Sequence, residues 1–162
     1  MKKEFIKSGI YAGLIAGMVF MILEMLMVKV FMGGSPWGPP RMIAAIGMGK
    51  GVLPPPPTFD FTIVMVAMVI HFILAILFAF IIALIVTKTN TVTAIIIGMI
   101  AGLLLYFINF YGFTALFPWF AMARNWVTIF THIMFGLTAS LAFKSFYKTT
   151  SFPVNDMKTT AI

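Results

Sequence analysis

Hydrophobic residues fill this chain in four long runs, at about residues 8–32, 60–87, 92–115 and 124–147, and polar residues collect between them. Each run meets the roughly 20 apolar residues that a helix needs to cross the hydrocarbon of a bilayer. The pattern predicts an all-α integral membrane four-helix bundle. Four such helices use most of the chain, so one transmembrane domain over 1–147 is expected, followed by a polar cytoplasmic tail over 148–162.

The connections differ in kind. Thr87-Lys-Thr-Asn-Thr91 joins the second and third runs so tightly that they must be antiparallel neighbours. The external loop 33–59 is dense in glycine and proline; Met42-Ile-Ala-Ala-Ile-Gly-Met48 within it reads as a short interfacial helix, and Pro54-Pro-Pro-Pro57 as an extended spacer. The last link carries Phe117-Pro-Trp-Phe120, and Trp37, Trp119 and Trp126 are placed for an aromatic belt at the external interface.

Composition removes the soluble classes, with 62% hydrophobic residues and 9% charged ones and a mean hydropathy of +1.09. The formal charge of +7 flanks the runs rather than forming a stripe, so it reads as topology signal and lipid-headgroup attraction, and no nucleic-acid partner is expected. Lys2, Lys3, Lys7, Lys88, Lys144, Lys148 and Lys158 fall on one side; Lys29, Arg41, Lys50 and Arg124 fall on the other. Cations are retained in the cytoplasm, so both termini are expected there. The first run is too long for a signal peptide, contains Glu24 and lacks a clear small-x-small cleavage site, so a retained first helix is expected. With no cysteine, disulfides, thiolate metal sites and cysteine nucleophiles are excluded.

The chain also reads as an internal repeat of two tandem helical hairpins. Gly13-Leu-Ile-Ala-Gly-Met-Val-Phe-Met-Ile-Leu-Glu24 aligns without a gap on Gly98-Met-Ile-Ala-Gly-Leu-Leu-Leu-Tyr-Phe-Ile-Asn109. Pro36-Trp37 and Pro118-Trp119 follow, then Arg41 and Arg124, then a helix with one histidine, His71 or His132, the only two in the chain. Gly9, Gly13 and Gly17, and likewise Ala94, Gly98 and Gly102, give each copy a small face on which another backbone can press closely.

At about 1.5 Å per residue, Glu24 and His132 lie some 12 Å below the external surface, and Asn109 and His71 lie at roughly 9 and 16 Å. One polar layer is therefore expected: an intramembrane site of Glu24, His71, Asn109 and His132 in the external half, with Trp37, Arg41, Trp119 and Arg124 at its entrance. Glu24 at that depth costs about 2.5–3.5 kcal/mol unless it is protonated, paired or wetted, and the histidines and Arg41 or Arg124 are its candidate partners.

Several readings of the layer stay open. One acid and two imidazoles can exchange protons near neutral pH, giving a proton or small-cation site. His71 and His132, on helices expected to be diagonal, can instead supply both axial ligands of a b-type haem in an electron-transfer subunit. Met18, Met21, Met25 and Met68 beside the polar residues would suit copper(I). The layer can also be a structural network without cargo. No nucleophile-and-base pair points to an enzyme; Thr128 and His132 stand one turn apart, but a threonine in a membrane helix ordinarily bonds its own backbone.

Trp37-Gly-Pro-Pro-Arg-Met-Ile-Ala-Ala-Ile-Gly47, Pro56-Pro-Thr-Phe-Asp60, Asn109-Phe-Tyr-Gly112, Phe117-Pro-Trp-Phe120 and Ala123-Arg-Asn-Trp126 resemble a family of small bacterial four-helix membrane proteins, some labelled sodium:proline symporter. From the second run onward, Pro118-Trp119 and His132 are more distantly similar to the YagU inner-membrane family, associated with acid resistance. The resemblance implies a multi-pass protein of the bacterial inner membrane and favours the proton reading. A homo-oligomer or a place in a larger membrane complex is the expected assembly.

Overall fold

Helices here start where a polar side chain takes up backbone N–H groups that have no partner inside the helix. Asp60 accepts from Ile63 N at 2.9 Å to open α3 (Phe61–Val86). Asn90 accepts from Thr93 N at 2.9 Å to open α4 (Thr91–Phe107), and Asn125 from Thr128 N at 3.1 Å to open α5 (Trp126–Phe146). The first helix, α1 (Lys2–Phe31), ends ahead of Gly33, whose φ of +64° turns the chain so that Gly34 N–H reaches the Val28 carbonyl at 3.1 Å. Pro39 and Pro40 begin the short α2 (Gly38–Met48), where missing N–H groups cost nothing.

The structure, a computed structural model, describes residues 2–147. The expected polar tail over 148–162, with Lys148 and Lys158, lies outside the described residues. The described residues are helical and contain no strand. Four helical segments are long and apolar enough to cross a membrane: Lys3–Phe31, Phe61–Val86, Thr91–Ala115 and Trp126–Phe146. Their outward faces carry large apolar side chains, such as Leu26, Ile73, Leu84 and Ile100, each at least half exposed. Bare hydrocarbon on every side is the surface of a protein that sits in lipid.

α5 is the centre of the bundle. Of its most apolar stretch 56% is buried, against 22% for α1, and it packs on α1, α3 and α4. Its sequence favours this, since Thr128, Thr131, Gly136, Ala139 and Ser140 give one side of the helix little bulk, so that neighbouring backbones approach closely. α3 and α5 were expected to lie diagonally; they touch, and the open diagonal is α1 to α4. The two hairpins, α1–α3 and α4–α5, are each closely packed, and α1 presses on α5. α3 and α4 meet only lightly despite the short turn that joins them.

At the end where that turn lies, Lys144 Nζ donates to the Thr89 carbonyl at 2.5 Å and lies 3.5 Å from those of Val86 and Thr87, placing a cation on the last turn of α3. At the opposite end α2 lies on α3, with Ala44 buried against Ile63 and Ala67. The Trp119 indole N–H donates to the Met42 carbonyl at 3.0 Å and so clasps α2 from the other hairpin.

The third run is not one regular helix to residue 115. α4 is regular to Phe107, and Ile108–Gly112 then form one wider π-type turn, followed by 3₁₀ turns at Phe113–Ala115 and Pro118–Ala123. Arg124 stabilises the wide turn from outside, its Nε donating to the Phe110 carbonyl at 2.7 Å. Asn109 therefore sits on a turn whose side chains are re-aimed relative to the α-helix before it.

Candidate functional site

Glu24 is buried at 5% exposure between α1 and α5. Both carboxylate oxygens are held by hydroxyls of α5: Thr128 Oγ1 donates to Oε1 at 3.0 Å and Thr131 Oγ1 to Oε2 at 2.6 Å. Among the described residues these are its hydrogen-bond partners. Neither histidine bonds it. The arginines expected to reach it are engaged elsewhere: Arg41 donates to the Val52 and Thr58 carbonyls at 2.8 and 3.0 Å, and Arg124 to Phe110 O and the Thr114 hydroxyl. Both arginines tie down loops. Glu24 faces a cavity of about 310 Å³ whose lining includes Ser35, Pro39, Pro57 and Asn125, so it is approached from the α2 end.

The other three polar residues line a different cavity, of about 220 Å³. His132 Nδ1 lies 2.8 Å from the Thr128 carbonyl, an acceptor only, so Nδ1 carries the proton. In the neutral ring Nε2 is then an acceptor, and Asn109 Nδ2 donates to it at 3.2 Å. This fixes the amide orientation and leaves Asn109 Oδ1 as an acceptor. His71 is bonded the other way round. Its Nε2 donates to the Gly17 carbonyl of α1 at 2.9 Å, which leaves Nδ1 with a bare lone pair.

Phe20 of α1 separates the imidazoles. Its ring stacks on His71 at 5.5 Å between centroids and meets His132 edge-on at 4.8 Å. A porphyrin ligated by both histidines would need the place that Phe20 holds, as well as the His132 nitrogen that Asn109 occupies. Phe20, Ile43, Phe110 and Phe120 line both cavities and form the partition between them. The four predicted site residues are thus divided: Asn109 is joined to His132, His71 shares their cavity across Phe20, and Glu24 stands in the other. Glu24 and Asn109 lie on helices with few contacts to each other, and the shared wall of Phe20, Ile43, Phe110 and Phe120 stands between their cavities.

The predicted entrance residues act as fasteners. Trp37 packs against Phe59 at 4.9 Å between ring centroids, and Trp119, 9% exposed, holds α2. Arg124 also lies over the Tyr111 ring at 4.2 Å. The methionines beside Glu24 do not share one face, since Met21 is buried while Met18 is half exposed. Sequence reasoning passed over Thr131 and Phe20 and gave Thr128 only a backbone role. The available signal was that Thr131 and His132 lie three and four residues after Thr128 on one helix.

In each hairpin a glycine of one helix packs on the helix that carries the histidine. Gly17 packs on Ala75 and accepts from His71; Gly102 packs on Gly136 and lies against the His132 backbone. In the first half the histidine ring makes the contact with the glycine, and in the second the histidine's own carbonyl does. No protein family, curated protein or solved structure matches this chain.

Proposed function

We propose that this chain is a multi-pass protein of the bacterial inner membrane in which Glu24 binds or passes a proton or small cation from the periplasmic side. The observation that carries the reading is a carboxylate 5% exposed whose hydrogen-bond partners among the described residues are two hydroxyls. A charge buried in lipid costs about 2.5–3.5 kcal/mol unless something neutralises it, and a proton or a bound cation would do so. Oxygen donors from Glu24, Thr128 and Thr131, with Asn125 on the same cavity, are also the donor type that hard cations take.

Sidedness is read from the lysines and arginines: the α2 end holds fewer, and that end is taken as periplasmic, with both termini cytoplasmic. The glycine that each hairpin packs on its histidine-bearing helix supports an origin by duplication of one hairpin. The resemblance to small four-helix bacterial membrane proteins agrees with this location. Asn109, His71 and His132 leave the cation site in this reading, because the Phe20 partition divides them from Glu24.

The test is flux into liposomes carrying the purified protein, followed with an internal pH dye under proton gradients and then under sodium or potassium gradients. Glu24→Gln keeps the shape and the hydroxyl contacts but cannot release a proton, and flux should fall at least tenfold with the melting temperature retained. Equal flux in the variant overturns the reading. A lowered melting temperature with no flux in either protein supports a structural network instead.

A further inference from the structure

We propose that the second cavity, between α3 and α4, is a separate binding site for a hydroxyl-bearing lipophile, a phenol or alcohol with an apolar body, taken up sideways from the bilayer. The proposal stands whether or not Glu24 binds a cation.

Three features of the cavity carry it. First, its walls are aromatic and aliphatic, with Phe78, Phe110, Phe117 and Phe135 among them, and its volume is about 220 Å³. A cavity of about 150 Å³ with such walls accepts benzene, so a substituted ring or a branched chain fits here. Second, the polar groups left over on its lining are two acceptors and one donor, the second N–H of Asn109 Nδ2, so a hydroxyl, which both donates and accepts, suits them. His71 Nδ1 is bare because Nε2–H is donated to Gly17, and Asn109 Oδ1 is bare because Nδ2 is donated to His132. No polar side-chain atom among the described residues is sealed from its surroundings without a partner, so both acceptors reach open space. Two acceptors in an apolar box select a ligand with a donor of its own, and a hydroxyl on a hydrophobic body meets that need.

Third, the cavity lies where the bundle is loosest. α3 contributes His71, Leu74 and Phe78, and α4 contributes Leu105 and Asn109, yet these two helices meet only lightly. The remaining walls are closed by Phe20 of α1, His132 and Phe135 of α5, and Ile43 and Ile46 of α2. In this proposal the ligand enters between α3 and α4, where the packing is lightest, from the membrane and without crossing water.

The probes are 4-pentylphenol and its methyl ether 4-pentylanisole, which share the ring and the alkyl chain and of which only the phenol donates. Binding to the purified protein in mild detergent, by titration calorimetry, should favour the phenol at least tenfold. Ile46→Trp fills the cavity from a half-buried position on α2 and should abolish phenol binding with the melting temperature kept. His71→Phe removes one acceptor, and Asn109→Leu combined with His132→Phe removes the other without baring His132 Nε2; each should narrow the preference for phenol over anisole. Equal binding of the two probes, phenol binding that persists in Ile46→Trp, or a preference unchanged in both acceptor variants overturns the proposal.

Discussion

Glu24 Oε2 and the Thr131 hydroxyl stand 2.6 Å apart across 107 residues of sequence, and this bond fastens the first spanning helix to the central one. Thr131 is fully buried. Thr131→Val keeps the volume and removes the donor, which leaves one carboxylate oxygen without its partner inside the bundle. The expected loss is about 1–3 kcal/mol in a reversible denaturant titration in micelles, and Thr131→Ser should recover most of it. Unaltered stability in the valine variant would mean that the two groups are not bonded.

The close seam between α4 and α5 makes a second prediction. A Cβ at Gly136 would overlap the Gly98 carbonyl oxygen and come within 2.8 Å of the Gly102 nitrogen, and both obstacles are backbone. Gly136→Ala therefore has to push the helices apart, at a cost of about 1–3 kcal/mol. At Gly38, where a Cβ would meet nothing within 4 Å, the same change should be silent. Melting curves of the two variants, compared with the parent, decide it.

The long helices were legible because each is a run of apolar residues, and lipid demands little more of a spanning segment. Asp60, Asn90 and Asn125 cap the helices at the polar ends of these runs. The site was read less well. Glu24, His71, Asn109 and His132 stand out in the sequence because they are rare in such runs, but depth along a helix says nothing of which neighbour a side chain faces. That facing is set by the small residues of α5, which draw this helix to the centre and leave α1 and α4 apart. Phe20 was invisible as a partition because a phenylalanine among eighteen carries no mark of its place. The wide turn at Ile108–Gly112 escaped for a related reason: Arg124 meets the Phe110 carbonyl through space, fourteen residues away in sequence.

That arginine gives a third prediction. Arg124 donates to Phe110 O and covers the Tyr111 ring, binding the wide turn at two points, and reaches the Thr114 hydroxyl of the next turn at 3.1 Å. Arg124→Ala removes all three, and Arg124→Lys keeps the charge but loses the planar fork. Amide hydrogen exchange over residues 108–117 should quicken about tenfold or more in the alanine variant, with exchange over 128–140 unchanged. Quickening over both segments alike would assign Arg124 to the stability of the whole bundle rather than to this turn.

The two histidines, one in each helical hairpin, are held by opposite nitrogens. His71 gives its Nε2 proton to Gly17 O at 2.9 Å, and His132 gives its Nδ1 proton to Thr128 O at 2.8 Å while Nε2 accepts from Asn109. In their neutral forms the rings must be different tautomers, because a carbonyl oxygen can only accept. Nitrogen-15 spectra of protein labelled at histidine, with multiple-bond proton correlations, should show one ring protonated at Nε2 and one at Nδ1. Asn109→Ala should shift the Nε2 resonance of the Nδ1-protonated ring alone. Two rings of the same tautomer would place a proton where the structure has none to spare, and the division of acceptors on which the second cavity depends would fall with it.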